Sequence, residues 1–329
     1  MDEFSIIERY FKQANSSRKD VIIGIGDDAA ITQVPQGQYL ATTTDTLLSG
    51  VHFLPDTLPD AIAHKAIAAN LSDLAAMGAE PSWISLSVCM PNANDAWLSA
   101  FSEKVAQLCD YYSMQLIGGD MVKGPLAVTI TAQGFVPPES IITRTGAKPG
   151  DWLFLTGTVG DAAAGLAYLQ NKIQIAEQSK AQELSQRYFC PTPRVLVGTT
   201  LRRLASACID VSDGLLQDLQ HVLDGSSENG HGVGAIVHLD RLPISQALGS
   251  SIVELEQALA FACTGGDDYE LLFTVSEEHR VSMETAMASY NLPITCIGQI
   301  TGAASKLDLR LNEQPFSPSS FDKVGYQHF

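Results

Sequence analysis

Apolar and polar residues alternate in several short stretches of the chain, and glycine or aspartate commonly follows each stretch. Leu126, Val128, Ile130 and Ala132 alternate with polar or small residues, which predicts a strand with one buried face. Residues 21–26 predict a strand that runs into a glycine turn. Further strands are predicted at 39–44 ending at Asp45, 83–90, 114–117 ending in Gly118-Gly119-Asp120, 152–155, 207–211, 234–239, 270–275 and 294–300.

Helical patterns lie between these strands. Residues 60–77 give the clearest pattern, because Pro59 and Asp60 start the segment, its interior is rich in alanine and Gly78 ends it. Other helices are predicted at 3–11, 95–111, 160–170, 174–187 and 212–223, and a loop at 224–232. The alternation of strands and helices predicts a mixed α/β protein.

Residues 145–151 form the best linker, since they are rich in turn formers and precede a new strand. The predicted domains are therefore residues 1–148 and 149–329. A length of 329 residues is typical of two domains at roughly 150 residues each.

The charge balance excludes several classes of partner. Lys and Arg total 20 and Asp and Glu total 37, so the formal charge is −17. Such a chain is a poor general binder of nucleic acid or anionic membrane. No stretch reaches the roughly 18–20 apolar residues of a transmembrane helix, and the acidic start lacks a signal sequence, so we expect a cytoplasmic protein. The six scattered cysteines predict neither a zinc site nor a disulfide framework.

Aspartates at element ends are the candidate chemistry. A lone aspartate at a strand end is usually a cap or turn residue. Asp73 differs, because it lies in an apolar helical pattern where an unpartnered carboxylate would cost several kcal/mol. If several carboxylates converge, cations must hold them, and oxygen ligands select Mg²⁺, Ca²⁺ or Mn²⁺. The aspartates concerned are Asp27, Asp28, Asp45, Asp73, Asp120, Asp210 and Asp213.

Magnesium held by carboxylates commonly accompanies bound phosphate, although the usual phosphate-binding loops are missing here. The Gly24-Ile25-Gly26 stretch is a weak dinucleotide match, and the two aspartates after it would face the pyrophosphate. Arg144 could clamp a phosphate or be a solvated surface residue, and His52 is either a functional or a structural loop residue.

Taken together, these motifs resemble those of the bacterial thiamine-monophosphate kinase family, over the whole chain. Each motif is weak alone, and their shared order makes the resemblance specific. The matching segments are 24–29 (GIGDDA), 43–47 (TTDTL), 50–53 (GVHF), 70–79 (NLSDLAAMGA), 116–120 (LIGGD), 144–151 (RTGAKPGD), 209–215 (IDVSDGL), 265–270 (GGDDYE) and 325–329 (GYQHF).

The resemblance implies ATP-dependent phosphorylation of thiamine monophosphate to thiamine diphosphate. It implies the two-domain fold of aminoimidazole-ribonucleotide synthetase and selenophosphate synthetase, with an N-terminal α/β domain whose sheet pairs across a homodimer and a C-terminal α+β domain. It also implies several Mg²⁺ ions with ATP. The implied metal ligands are Asp28, Asp45, Asp73, Asp120, Asp210 and Asp213, with Asp27 and the Thr43 and Thr44 oxygens as additional candidates. The implied nucleotide contacts are Gly119, Asp120, Arg144 and Ser212.

For the thiamine phosphate, the resemblance implies contacts from His52, Asp267 and an aromatic residue near the C-terminus. Asp267 stands where the family more often has glutamate, so its reach is shorter by one methylene. Tyr326 occupies the aromatic motif position, and Phe321 is near enough in sequence to serve instead.

The expected chemistry needs no strong general base, because a phosphate monoester is already largely a dianion at neutral pH. We therefore expect direct in-line transfer of the γ-phosphoryl group, with no catalytic residue beyond the metal ligands and Arg144. Two alternatives stay open: another ATP-dependent enzyme of the same fold, and a non-catalytic sensor of nucleotides or thiamine phosphates.

Overall fold

The computed structural model describes residues 3–12, 17–228, 232–252, 254–304 and 306–317, together with Phe321 and Gly325. The chain divides into two compact units. The first comprises Met1–Leu74 and Ala79–Glu139, and the second comprises Ala75–Gly78 and Ser140–Phe329. The linker predicted at 145–151 belongs to the second unit.

The first unit contains a two-stranded ribbon and a four-stranded sheet. Its strands are β1 (Val21–Ile23), β2 (Ile31–Thr32), β3 (Tyr39–Leu48), β4 (Glu80–Met90), β5 (Gln115–Lys123) and β6 (Ala127–Val136). The sheet order is β3-β6-β4-β5, in which β4 and β5 are parallel and the other pairs are antiparallel. The predicted alternation in β6 is confirmed, since Val128, Ile130 and Ala132 are buried and the residues between them are not.

Two strands run further than the sequence pattern predicts. Asp45 lies inside β3 and Asp120 lies inside β5, whereas both were expected at strand ends. The reason is strand pairing, because β6 pairs with β3 as far as Leu48 and β4 pairs with β5 as far as Lys123. The two aspartates therefore project from the sheet itself and not from its loops.

Three helical segments accompany this sheet: α1 (Glu3–Ile6), which continues as a π-helical turn (Ile7–Lys12), α2 (Pro59–Ala76) and α3 (Asp95–Tyr111). The predictions for residues 60–77 and 95–111 are confirmed to within one residue at each end. Asn94 caps α3 by accepting the Trp97 amide at 3.0 Å.

The second unit contains a seven-stranded sheet of order β13-β12-β9-β11-β7-β10-β8. Its strands are β7 (Trp152–Thr156), β8 (Ala207–Val211), β9 (Gly234–His238), β10 (Glu270–Val275), β11 (Ile294–Thr301), β12 (Leu307–Leu311) and β13 (Gln314–Pro315). Its helices are α4 (Asp161–Leu169), α5 (Gln178–Phe189), α6 (Val195–Thr200), α7 (Leu215–Glu228), α8 (Gln246–Ser251), α9 (Leu255–Thr264) and α10 (Glu277–Met287). Within the described residues, no helix is long and apolar enough to cross a membrane.

Helix α7 differs from its predicted span at both ends. It begins at Leu215 and not at Ser212, and its last turn occupies residues 224–228, which were predicted as loop. Serine hydroxyls stabilise that last turn, because Ser227 donates to the Leu223 carbonyl at 2.8 Å and Ser226 accepts the Ala147 amide at 3.1 Å. The remainder of the predicted loop at 229–231 lies outside the described residues.

Candidate functional site

A cavity of about 630 Å³ opens in the first unit beside β5. Its lining includes the carboxylates of Asp27, Asp28 and Asp120 and the apolar side chains of Phe11 and Leu116. Its volume is within the range of small-molecule pockets, which are roughly 300–1,000 Å³ and mostly apolar with a few placed polar groups. The cavity can therefore accept a ligand that carries both an apolar ring system and a charged group.

Glycine at position 119 is a steric requirement of this cavity wall. Gly119 is paired with Leu86 on β4, and a Cβ at position 119 would lie 1.8 Å from the Leu86 carbonyl oxygen. A Cβ on Gly118 would meet nothing within 4 Å. Only the second glycine of the pair is thus needed for the strands to approach each other.

A second group of oxygen ligands lies between β3 and α2. Thr43 and Asp45 are two residues apart on one strand, so they project from the same face. The Thr43 hydroxyl donates to Asp73 Oδ2 at 2.5 Å, which joins this face to α2. Burial raises the pKa of Asp73, and the Thr43 hydroxyl partly opposes that rise. The side chain of Thr44 projects from the other face, where its hydroxyl meets Thr131 Oγ1 at 3.0 Å.

The predicted metal ligands of the first unit fit a hard divalent cation in donor type, since all of them are oxygen atoms. A cation beside Asp73 would also favour the charged carboxylate that burial disfavours. The strand register does not bring these ligands together at one point. Asp45 and Gly119, the residue before Asp120, lie in register across the sheet but on its two edge strands, so their Cα atoms are about 14 Å apart. In the part of the chain that is described, no group of three or more His, Cys, Asp or Glu side chains is close enough to hold one ion.

The loop that follows β3 fixes the ring of His52. Its Nδ1 accepts the Leu48 amide at 3.0 Å, so the neutral ring carries its proton on Nε2. Lys65, which is 2 % exposed, donates from Nζ to the His52 carbonyl at 3.1 Å. Sequence reasoning missed this role of Lys65, and a lysine within an apolar helix was the available signal.

In the second unit, Asp210 lies buried within β8, and Ser212 and Asp213 follow it before α7. Asp218 in the first turns of α7 holds this connection. Its Oδ2 accepts the backbone amides of Ser212 and Asp213, both at 3.2 Å, and of Gly214 at 3.1 Å. Burial raises the pKa of Asp218 to about 7, with Asp213 adding to the rise. The sequence analysis did not single out Asp218.

The segment before β10 carries Asp267 in a left-handed conformation, with φ of 69°. Tyr269 is also left-handed, with φ of 51°, and its hydroxyl lies 3.3 Å from Asp267 Oδ1. Such backbone strain costs about 1–3 kcal/mol per residue and occurs often at functional sites. Two amides tie the segment to β8 and its end, since Asp267 donates to Ser212 O and Tyr269 donates to Val211 O, both at 2.8 Å.

The acidic residues next to Asp267 have structural roles that sequence reasoning missed. Asp268 is 1 % exposed and accepts the amides of Gly160 at 2.7 Å and Ala162 at 3.2 Å, so it caps α4. Burial raises the pKa of Asp268 well above its usual range. Glu270 is fully buried and binds the guanidinium groups of Arg187 and Arg194.

The remaining predicted site residues are dispersed in the second unit. Arg144 is exposed, beside Thr143, whose carbonyl accepts the Cys208 amide of β8 at 3.1 Å. Phe321 packs against the core cluster of this unit, with its ring centroid 6.4 Å from that of Phe316. Tyr326 lies outside the described residues.

Gly325, the residue before Tyr326, approaches the start of α7. A Cβ at position 325 would lie 2.7 Å from Cβ of Gln217. The side-chain amide nitrogen of Gln217 donates to Asp213 Oδ2 at 3.4 Å. Gly325 therefore lies beside Gln217, whose side chain is close to Asp213.

Comparison with known proteins gives full-length matches. Residues 26–136 match the model of the AIR synthase related protein N-terminal domain, and residues 148–309 match that of the C-terminal domain. The chain is 50 % identical over 327 residues to the thiamine-monophosphate kinase of Escherichia coli K12, covering 99 % of this chain and 98 % of that protein.

Solved structures give the same picture. The chain is similar to the thiamine-monophosphate kinase of Stenotrophomonas maltophilia K279a, with 40 % identity, a TM-score of 0.82 and coverage of 91 % and 93 % of the two chains. It is also similar to AaThiL complexed with AMPPCP and TMP, with 30 % identity, a TM-score of 0.75 and coverage of 93 % and 92 %.

Proposed function

The chain belongs to the thiamine-monophosphate kinases of the AIR synthase related family, and from this premise we propose how its residues serve that activity. It is an ATP-dependent phosphotransferase that converts thiamine monophosphate to thiamine diphosphate, with a phosphate group as the acceptor.

The cavity beside β5 is the proposed nucleotide site, and this cavity is the observation that carries the proposal. Its apolar lining residues, which include Phe11 and Leu116, suit a nucleobase, and Asp28 and Asp120 also line it. Gly119 lines the cavity and is assigned to the nucleotide, and at the neighbouring Gly118 a Cβ would meet nothing within 4 Å, so the backbone there is open to a ligand. Arg144 and Ser212 are likewise proposed to contact the nucleotide.

Several Mg²⁺ ions are proposed to neutralise the phosphates, since the carboxylates alone would repel them. The chemistry that Mg²⁺ supplies is charge neutralisation of the transferred phosphoryl group. Asp28 and Asp120, with Asp27 in support, would hold metal at the cavity, and Asp45 and Asp73 would hold it between β3 and α2. The Thr43 hydroxyl can complete this shell, and Thr44, whose side chain projects from the other face, would contribute through its backbone carbonyl oxygen. Asp210 and Asp213 are further proposed ligands.

The acceptor requires positioning more than activation. Its phosphate oxygen attacks the γ-phosphorus, the bond from that phosphorus to the bridging oxygen breaks, and ADP leaves. The acceptor needs no proton removed by the enzyme, because its second pKa is near 6 as in phosphoserine. Transfer is therefore direct, and radiolabel from γ-labelled ATP trapped on the protein during turnover would contradict it.

His52, Asp267 and an aromatic residue near the C-terminus are proposed to recognise the thiamine phosphate. His52 can donate from Nε2 to a phosphate oxygen, because its Nδ1 already accepts the Leu48 amide. The Asp267 carboxylate would meet the cationic thiamine. The aromatic contact is assigned to Tyr326, because Phe321 is already packed against the core.

A homodimer is proposed to form through the four-stranded sheet. Strand β3 lies at an edge of that sheet and exposes Tyr39 and Leu48, which are 58 % and 37 % exposed. Edge strands offer unpaired backbone groups, which a second copy can pair. Light scattering should give the mass of two chains, and Leu48→Lys should shift that mass toward one chain.

A cytoplasmic location is also proposed. All six cysteines are free, which is typical of a reducing compartment. After purification from the cytoplasm, the protein should react with a thiol reagent at its cysteines without prior reduction.

A coupled assay tests the function. The protein is mixed with ATP, Mg²⁺ and thiamine monophosphate, with free thiamine as a parallel acceptor, and thiamine diphosphate and ADP are quantified with and without EDTA. Equal amounts of both products, from the monophosphate alone and sensitive to EDTA, are expected. ADP without thiamine diphosphate would favour another ATP-dependent enzyme of this fold, and ATP binding without turnover would favour a sensor.

A further inference from the structure

In the connection between β8 and α7, three backbone amides donate hydrogen bonds to a side chain of α7. One oxygen of Asp218 accepts the amides of Ser212, Asp213 and Gly214, at 3.1 to 3.2 Å. Amides at the start of a helix commonly bind phosphate. Here a buried carboxylate already occupies them, so any phosphate must be bound by other groups.

The other side of the same connection is held from the segment before β10. The Ser212 carbonyl accepts the Asp267 amide at 2.8 Å, and a Cβ on Gly266 would lie 2.3 Å from that same oxygen. Gly214 has φ of 125°, and its carbonyl accepts the Asp218 amide at 2.9 Å. The backbone of Ser212 is therefore fixed at both its amide and its carbonyl.

We propose that Asp218 is a positioning residue, whose carboxylate oxygen fixes the backbone of Ser212 and Asp213 so that their side chains are aimed at the metal-bound nucleotide. This inference rests on the proposed roles of those two residues. Asp218 itself touches neither nucleotide nor metal in this account, because its side chain is buried and its Oδ2 accepts three backbone amides.

Because one oxygen of Asp218 accepts all three hydrogen bonds, the variants Asp218→Asn and Asp218→Ala separate the acceptor oxygen from the charge. Asparagine at position 218 keeps an acceptor oxygen that can meet all three amides, whereas alanine leaves them without a partner. Asn94→Ala is the matched control, since it removes a side-chain cap at 3.0 Å from α3 in the first unit.

Calorimetric titration with Mg²⁺ and AMPPCP is the test. We expect Asp218→Ala to raise the dissociation constant at least tenfold and Asp218→Asn to stay within threefold of the unchanged protein. The Michaelis constant for thiamine monophosphate, measured at saturating ATP, should change less than twofold in both variants. Should Asp218→Ala fail to fold, Asp218→Glu displaces the oxygen by one methylene and should show the same tenfold loss.

Two results would overturn the inference. One is a wild-type dissociation constant in Asp218→Ala with a lowered unfolding temperature like that of Asn94→Ala, which would make Asp218 merely structural. The other is an equal loss in Asp218→Asn and Asp218→Ala, which would assign the effect to charge. A wild-type protein that fails to bind Mg²⁺ and AMPPCP would instead overturn the proposed function.

Discussion

The tripeptide Gly-Gly-Asp occurs twice in this chain, and the two copies fold differently. In Gly118-Gly119-Asp120 the residues continue β5 and remain at the surface of a cavity. In Gly265-Gly266-Asp267 they follow α9, and Asp267 takes a left-handed conformation. The same letters therefore give a strand in one unit and a strained connection in the other.

The acidic residues at the two copies have different roles. The first copy has one aspartate, which is exposed. The second is followed by Asp268 and Glu270, both buried and both bound to protein groups. A carboxylate that protein donors already satisfy stabilises the fold, and one that faces an open cavity is available to a ligand.

Glu270→Gln should give the largest effect on stability. It removes the charge that both Arg187 and Arg194 contact, and breaking a buried pair of this kind costs about 3–5 kcal/mol. Glu284→Gln, at a surface pair with Arg280, should change the free energy of unfolding by less than about 0.5 kcal/mol. Urea unfolding of both variants measures the contrast, and equal effects would contradict it.

Gly119→Ala should give the next largest effect on stability. Its Cβ would overlap the Leu86 carbonyl, so β4 and β5 must separate, at a cost of about 1–3 kcal/mol for overpacking. Gly118→Ala adds the same atom where nothing lies within 4 Å and should be nearly neutral. Thermal unfolding and nucleotide affinity are measured on both, and a tolerant Gly119→Ala would remove the steric argument.

Asp268→Asn tests the buried aspartate that follows the second Gly-Gly-Asp, through the pH dependence of the free energy of unfolding. Since burial raises its folded-state pKa above the usual 3.8, the folded state binds the proton more tightly than the unfolded state. Its contribution to stability is thus full below about pH 4 and is lost as pH rises through the folded-state pKa. The variant should flatten that decline in a series of urea titrations, and an unchanged slope would exclude Asp268 as its source.

Asp267→Gly should give the smallest effect on stability, and in the opposite direction. Glycine adopts φ of 69° without strain, so the free energy of unfolding should rise by about 1 kcal/mol. The Michaelis constant for thiamine monophosphate should rise at the same time, because the carboxylate is lost. A stability that falls would show that the conformation carries no strain.

Much of the fold could be predicted from the sequence, because α2, α3 and β8 have regular patterns and clear ends. The extensions of β3 and β5 past Asp45 and Asp120 could not, since they depend on pairing with strands distant in sequence. Residue type identified Asp73 as unusual, and its raised pKa agrees with that.

Within GGDDYE, by contrast, sequence alone could not separate the ligand candidate from the structural acids. Asp267 and Asp268 are adjacent and identical in type, and only the α4 amides that Asp268 caps distinguish them. The sequence did not distinguish Asp218 for the same reason, because the three backbone amides that donate to it come close only when the chain folds into the connection before α7.

The most direct test is the rate of thiamine diphosphate formation by Asp120→Asn. Asp120 is exposed on the cavity wall, so the account predicts an unchanged unfolding temperature with kcat/KM for ATP lowered by a factor of about 100 or more. A variant that retains kcat/KM within about threefold of the wild-type value, less than 1 kcal/mol of transition-state stabilisation, would contradict the assignment of the first Gly-Gly-Asp to the nucleotide.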